Sequence, residues 1–357
     1  MSKKVDTIIT LGGHSALEIC HGAKKKHFKT IVICQKGREK TYSKYYKNLV
    51  DEVVLLDHFK QLTDKRTMDI LKEKELIFIP HRYCQTYCDL NLLENGFNIP
   101  VFGNKHLLKY EERTGKFNQY QLLSKSGINY PLQYNNPKDI DRLVFIKVNE
   151  AVRGYERAFF FADNYREYLR NSHNLIRKGI IKESDLNVAV IEEYILGAYV
   201  NFNFFYSPLS HSLHLIGTDM RRQTNIEGIV RIPADEQMGL LKYIKPSYIE
   251  TGHIAVTVKE SLIEKVYELG ENFVKTTQKE VPPGIIGPFA LQAAISAGPP
   301  KEKIVVFDLS LRIPGSPGIS YTPYSKYLYG KDISMGERIA MEVDKANMSK
   351  QINRIST

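Results

Sequence analysis

The chain has 357 residues, 43% of them hydrophobic and 25% charged, with a formal charge of +10. That length allows two or three domains sharing buried cores, in a soluble globular protein without low-complexity tracts. No apolar run approaches the roughly 20 residues of a membrane span, so no membrane partner is expected. The opening "MSKKVDTIITLGG" passes from a basic tip straight into a strand, with no signal-peptide core, and reads as cytoplasmic.

Residues 5 to 104 alternate short apolar runs with polar helical stretches. "DTIITLGG", "KTIVICQ", "DEVVLLD", "ELIFIP" and "NIPVFGN" read as five strands, and "SALEICHGAKKK" carries helical spacing at Ala16, Leu17, Cys20 and Ala23. Strands alternating with helices predict a parallel, doubly wound sheet, whose ligands bind beyond the carboxyl ends of the strands. Gly12, Gly13, His14, His81, Arg82 and Asn104 stand at those ends. Cys20, Cys34, Cys84 and Cys88 all fall in this part and read as free thiols. "HRYCQTYC" has no second ligand cluster to complete a tetrahedral metal site. The positive charge suggests nucleic acid or anionic nucleotides as partners, or a thermally robust Lys-rich surface, and "GAKKKHFKT" lacks the interleaved aromatics of a nucleic-acid channel, so no nucleic-acid partner is expected.

The pattern then changes. "RTGKFNQYQLLSKSG" predicts a polar helix, "RLVFIKV" and "RAFFFAD" flank the loop "NEAVRGYERA", and "NVAVIEEYILG" predicts another strand. "YVNFNFFYS" and "SLHLIGTDMRR" alternate as antiparallel strands. A helix near 260 to 277 precedes "GIIGPFALQAAIS" and "KIVVFDLSLRI", and "RIPGSPGISYTPYS" reads as an ordered loop near a site.

In this second half, Lys147 at a strand end suits neutralising α- and β-phosphate charge, or a plain surface lysine. The connector after "IEEYILG" suits reading adenine with backbone groups while its carboxylate takes ribose hydroxyls, or an acidic strand end facing water. "VVFDLSLR" is more specific. Period-2 alternation puts Asp308, Ser310 and Arg312 on one face, an acid, a hydroxyl and a cation suited to Mg²⁺ and a transferring phosphoryl group. Gln292 in "GPFALQ" offers a further oxygen alongside.

The order of Lys147 before a loop, "IEEYILG" at a hinge and the late acid-x-Ser-x-Arg strand resembles the ATP-grasp fold. More closely, "LGGHSALEICHGAK", "VFGN", "IEEYILGAYVNFNFFYSPL", "RIPADEQ", "PSYIETGHI", "VPPGIIGPFALQ" and "SMGERIA" resemble the archaeal PurP family nearly end to end. The resemblance implies an α/β (α+β overall) ATP-grasp protein with an N-terminal doubly wound parallel αβ domain. Its parts would be residues 1–104 on the ribotide side, 105–196 as a small lobe with a phosphate lid, and 197–357 as a large lobe with Mg-ATP and the catalytic residues. The implied reaction is ATP- and formate-dependent formylation of AICA ribotide through formyl phosphate in IMP biosynthesis, which needs no side-chain nucleophile. The implied cofactors are ATP and Mg²⁺ or Mn²⁺, and the implied state is a homo-oligomer.

Carried onto this chain, the resemblance makes Lys147 and Arg312 catalytic, and Gln292 and Asp308 metal ligands. ATP would be held by Lys147, Arg153, Gly154, Glu192, Glu193, Tyr194, Ile195 and Gln223, and the ribotide by His14, Tyr83 and His253. The departures are local. The glycine-rich lid becomes "NEAVRGYERA" with one glycine, which reads as a changed lid rather than a plain hairpin and shifts phosphate binding toward Lys147, Arg153 and Arg157. The family's His-Gly-Ser is "HRY", its Thr-Gly-Asn is "TGH", a carboxylate becomes Gln223, and the metal-binding glutamate becomes Asp308. These changes suit a paralogue, and leave open another carboxylate and amine pair or a non-catalytic nucleotide-binding homologue.

Overall fold

The structure is a computed structural model that describes residues 4–72, 74–113, 115, 118–148, 159–244, 246–298 and 301–357. The expected lid residues Arg153, Gly154 and Arg157 lie outside the described residues.

Four parallel strands form the first sheet: β1 (Thr7–Leu11), β2 (Lys29–Gln35), β3 (Glu52–Leu56) and β4 (Leu76–Phe78), in the order β3-β2-β1-β4. Every residue of β1 is buried, as a strand covered on both faces requires. The fifth expected strand is only a pair of bridges. Val101 bridges Phe78 in parallel, while Phe102 bridges Ser356 in antiparallel fashion. Pro100 has no N–H to extend a ladder, and the C-terminal residues take up the remaining backbone groups, with Val101 and Thr357 exchanging hydrogen bonds of 3.1 and 3.0 Å.

The second sheet is antiparallel, β5-β8-β6-β7, built from β5 (Gln133–Tyr134), β6 (Val144–Lys147), β7 (Phe159–Ala162) and β8 (Val190–Glu193). Helix Tyr165–Arg177 covers it through Tyr168 and Leu175. The helix expected over "RTGKFNQYQLLSKSG" is shorter, Gln119–Lys125. It starts where the Asn118 side chain accepts from the Tyr120 and Gln121 amides at 3.0 and 3.3 Å.

The third sheet is also antiparallel: β9 (Ala198–Ser207), β10 (Ser212–Gln223), β11 (Glu250–Ala255), β12 (Gly287–Ser296) and β13 (Lys303–Ser310), in the order β11-β10-β9-β12-β13. Alternation gives it one apolar face. Val200, Phe202, Phe204, Phe289, Leu291, Leu309 and Leu311 pack there with Phe273 of helix Ile263–Glu280. Ile304 and Val306 join the same core although Leu309 is three positions beyond Val306. A bulge between Gln292 and Ala293 accounts for the odd step. It falls before Asp308, so the alternation expected from Asp308 onward holds.

First and third sheets are joined in two ways. Ile8, Ile19 and Phe102 share a core with Phe205, Ile313 and Met335, and His81, just beyond β4, bridges Ile313, just beyond β13. Helices Ala16–Lys25 and Met335–Met348 touch so closely that a Cβ at Gly22 would lie 2.1 Å from the Gly336 carbonyl carbon. Glu18 completes that contact by accepting from the Met335 amide at 3.0 Å. Among the described residues no helix is long and apolar enough to cross a membrane. All four cysteines are free thiols, three of them buried.

Candidate active site

The His81–Ile313 bridge brings the carboxyl end of the parallel sheet against the polar face of the third sheet. Between them lies a cavity of about 180 Å³ lined by His14 and Arg82 on one side and Gln292, Asp308, Ser310 and Arg312 on the other. Asn201, Asn203, Arg221, Glu250 and His253 close it, with Pro314, Gly315 and Ser316 of the late Pro/Gly loop. A cluster of cationic groups in a partly dry cleft favours anions.

Gln292 and Asp308 are in register on adjacent strands. Gln292 Oε1 accepts from Arg221 Nη2 at 2.5 Å, and its Nε2 donates to Ser310 Oγ at 3.0 Å. Asp308 Oδ2 accepts from Arg113 Nη2 at 2.9 Å. Edge strand β13 is held by side chains acting as a further strand would. Gln119 Oε1 accepts from the Leu309 amide at 3.0 Å and Glu111 Oε1 from the Leu311 amide at 2.5 Å. Arg312 is buried, with Nη2 3.5 Å from Glu111 Oε2 and Nε donating to Gln85 Oε1 at 3.3 Å.

On the parallel-sheet side, Gly13 has φ +146°, and a Cβ there would lie 2.1 Å from Tyr83 Cε2. Only glycine accommodates both the conformation and the ring. Burial, reinforced by the charge of Arg312, lowers the His14 pKa to about 4, so His14 is neutral near pH 7. His81 is fully buried, its Nε2 donating to the Leu11 carbonyl at 2.8 Å and its Nδ1 accepting from the Tyr83 amide at 3.3 Å. Both ring nitrogens are thereby engaged, which makes His81 a structural residue.

His253 is the opposite case. Its Nδ1 is 2.5 Å from Asp219 Oδ2 and its Nε2 is 2.9 Å from Glu250 Oε1. Burial disfavours charge on the ring, but the two carboxylates outweigh it and raise the pKa to about 9. Burial likewise opposes charge on Glu250, yet His253 and Arg221 hold its pKa down at about 2.

The second sheet contributes a buried pair. Lys147 Nζ forms an ion pair with Glu192 Oε1, and Tyr120 OH donates to Glu192 Oε2 at 2.5 Å. Burial lowers the Lys147 pKa against the pull of Glu192, and Arg113 and Asp308 also act on its charge, which links this pair to the cavity.

Residues 8–134 match the family described as "Protein of unknown function (DUF1246)", and residues 167–357 match "Domain of unknown function (DUF1297)". The chain is 36% identical over 351 residues to the 5-formaminoimidazole-4-carboxamide-1-(beta)-D-ribofuranosyl 5'-monophosphate synthetase of Methanocaldococcus jannaschii, covering 98% of this chain and 94% of that one. The crystal structure of an IMP biosynthesis protein PurP from Thermococcus kodakaraensis superposes with a TM-score of 0.73 at 27% identity, over 98% of this chain and 100% of that one. The chain belongs to the PurP family.

The ATP-grasp fold of the PurP chain extends to more distant proteins. The biotin carboxylase domain of Hydrogenobacter thermophilus 2-oxoglutarate carboxylase, solved with MgADP, ADP and bicarbonate, gives a TM-score of 0.62 at 14% identity, over 95% of this chain and 70% of that one. At that identity the likeness is one of fold.

Of the residues singled out by resemblance to PurP proteins, His14, His253, Gln292, Asp308 and Arg312 line one cavity. Lys147 and Glu192, expected to serve phosphate and ribose separately, are paired with each other. Glu193 and Tyr194 already use their amides, which donate to the Leu132 and Leu143 carbonyls at 2.8 and 3.0 Å. The Ile195 carbonyl accepts from Tyr199 OH at 3.2 Å. Gln223 donates to the Tyr248 carbonyl at 3.3 Å, at the end of β10 and outside the cavity lining. Tyr83 also falls outside that lining. Its ring packs on Phe59 and Tyr87, with centroids 5.7 and 4.9 Å away.

Arg82 was marked only by its place at a strand end, and Arg113, Arg221, Asp219 and Glu250 carried no assigned role. Two signals were present. "NFN" and "DMR" each put polar residues two apart within largely buried strands, which places Asn201 with Asn203 and Asp219 with Arg221 on one face.

Proposed function

We propose that this chain is an ATP- and formate-dependent carbon–nitrogen ligase that formylates the 5-amino group of AICA ribotide, releasing ADP and phosphate. The observation that carries the reading is the shared cavity. It sets the oxygen pair Gln292 and Asp308 against Arg82, Arg221 and Arg312 at the carboxyl ends of a parallel sheet. The family supports the substrate, since the product named for the Methanocaldococcus jannaschii relative is a 5-formamino carboxamide ribotide.

In this reading the three lobes are residues 1–104, 105–196 and 197–357, with the ribotide held by the first and ATP clasped by the other two. His14 is a neutral N–H donor toward the 5′-phosphate, and Arg82 supplies the charge that His14 lacks. Lys147 reaches nucleotide phosphates by exchanging Glu192 for them, which leaves Glu192 to accept from Tyr120 and the ribose. Arg312, fixed by Glu111 and Gln85, stabilises charge on the transferring phosphoryl group.

The donor set Gln292 and Asp308 is all oxygen and fits Mg²⁺, and Asn203 Oδ1 in the same lining is buried without a hydrogen-bond partner. When bound with ATP, the ion supplies charge neutralisation on the phosphates. Pro314, Gly315 and Ser316 line the cavity together with His14, and excluding water from the reacting groups would protect the anhydride from hydrolysis.

The test is ADP release by purified protein with ATP, Mg²⁺, formate and AICA ribotide, omitting each in turn. Release that requires both formate and ribotide supports the reading. Release indifferent to both, with no ribotide binding by calorimetry, sinks it in favour of a non-catalytic nucleotide-binding homologue.

A further inference from the structure

Glu250 is the cavity carboxylate that the chemistry above leaves without a role. Its side chain, on β11, is 32% exposed, beside His14, Arg82 and Arg312 in the cavity lining. Oε1 is hydrogen-bonded to His253 Nε2 at 2.9 Å, and Oε2 is ion-paired with Arg221 Nε at 3.1 Å. Carboxylates only accept, so a ring between Asp219 and Glu250 donates from both nitrogens and is an imidazolium. Asp219 is itself fixed, accepting from Asn201 Nδ2 at 2.8 Å and Asn203 Nδ2 at 2.6 Å. Glu250 is therefore anchored, through one ring, to the middle of a sheet.

A carboxylate offers roughly four lone-pair directions, of which the hydrogen bond from His253 uses one, while Arg221 Nε adds an ion pair without a hydrogen bond. The cationic side chains around it (Arg82, Arg221 and Arg312) can hold a phosphate but cannot accept a hydrogen bond. Asp308, the other cavity carboxylate, is paired with Arg113 and stands in register with Gln292 as a metal ligand. An N–H-bearing head group entering the cavity meets in Glu250 an ionised acceptor already in position. We propose that Glu250 is a specificity-determining residue that accepts a hydrogen bond from the amine or carboxamide N–H of the substrate, with His253 and Arg221 as positioning residues. The inference rests on the ribotide reading above and adds the group that recognises the head of the ribotide rather than its phosphate. A fixed, partly buried acceptor disfavours ligands that bring no donor, because the acceptor loses water without replacement.

The experiment compares AICA ribotide with ribose 5-phosphate by calorimetry on wild type, Glu250→Ala, Glu250→Gln and His253→Asn, with KM values for ribotide and ATP. Loss of a hydrogen bond to a charged acceptor is worth roughly tenfold to a hundredfold in affinity. Glu250→Ala should weaken AICA ribotide by that factor and leave ribose 5-phosphate within about twofold. Glu250→Gln, which keeps the shape, should lie between. His253→Asn should raise the KM for ribotide and not for ATP, a split that a merely structural role would not produce. Equal losses for the two ligands, or undiminished AICA ribotide binding in both Glu250 variants, would overturn the proposal. A wild type that binds neither ligand overturns the parent reading together with it, whereas formate-dependent turnover unaffected by Glu250 substitution overturns this inference alone.

Discussion

Arg113 Nη2 lies 2.9 Å from Asp308 Oδ2, so one of the two expected metal ligands carries a guanidinium as its counter-ion. With Gln292 Oε1 also accepting from Arg221, an incoming cation meets an arginine on each of its two ligand groups and is repelled by both charges. Mg²⁺ without nucleotide should therefore bind the wild type more weakly than about 1 mM, and Arg113→Gln should tighten it several-fold. Calorimetric titration of Mg²⁺ into nucleotide-free protein is the measurement. Micromolar binding to the wild type would contradict the assignment.

The Lys147–Glu192 pair is buried, and removing one partner strands the other. Lys147→Met should destabilise the fold by about 3–5 kcal/mol, and adding Glu192→Gln should recover most of it. Mg-ATP at a hundred times Kd should stabilise the wild type by about 2.7 kcal/mol and raise its melting temperature, and neither variant should show that rise. Lys26→Ala, on the surface beside Asp344 at 3.8 Å, is the control and should keep the full shift. An undiminished shift in the double variant would take Lys147 out of the nucleotide site.

His253 gives a pH dependence with a definite sign. Its pKa rises on folding from 6.5 to about 9, because Asp219 and Glu250 outweigh the burial that opposes its charge. A raised pKa stabilises fully below the unfolded value, and the effect is lost as pH climbs through the folded one. Denaturant melts at about pH 6 and pH 9.5 should show the wild type losing about 1–3 kcal/mol of its advantage over His253→Asn. A difference independent of pH would show that the ring is not held as an imidazolium.

Tyr83 packs on Gly13, Phe59 and Tyr87. Trimming it leaves a hole, so Tyr83→Ser should lower stability by about 3–5 kcal/mol. Tyr83→Phe should be nearly neutral in both stability and ribotide affinity. A large affinity change for Tyr83→Phe would mean that the hydroxyl reaches the ligand.

The sequence by itself marked the four strands of the parallel sheet, the antiparallel β9 and β10 and the Asp308, Ser310, Arg312 face. Each of these follows from local alternation of apolar and polar residues, which needs no partner to be read. The sequence did not mark β5 or β11, and it made a strand of "NIPVFGN", which forms only bridges. Local pattern also marked His14 and Arg82 as strand-end residues, and resemblance marked Gln292 and His253. Only the tertiary structure decided what these groups do to one another. Lys147 and Glu192 are 45 residues apart and Arg113 and Asp308 are 195, yet each pair forms one charge unit. Whether Glu250 is a solvated acid or an anchored acceptor depends on Arg221 and Asp219 of β10, one reaching it directly and the other holding the His253 ring beside it, and whether His81 binds a ligand or a backbone depends on Leu11. Such pairings are set by sheet order and crossover packing, which bring distant residues together. The energy of a charge is fixed by those neighbours and by its burial, and neither is encoded in the residues beside it in the chain.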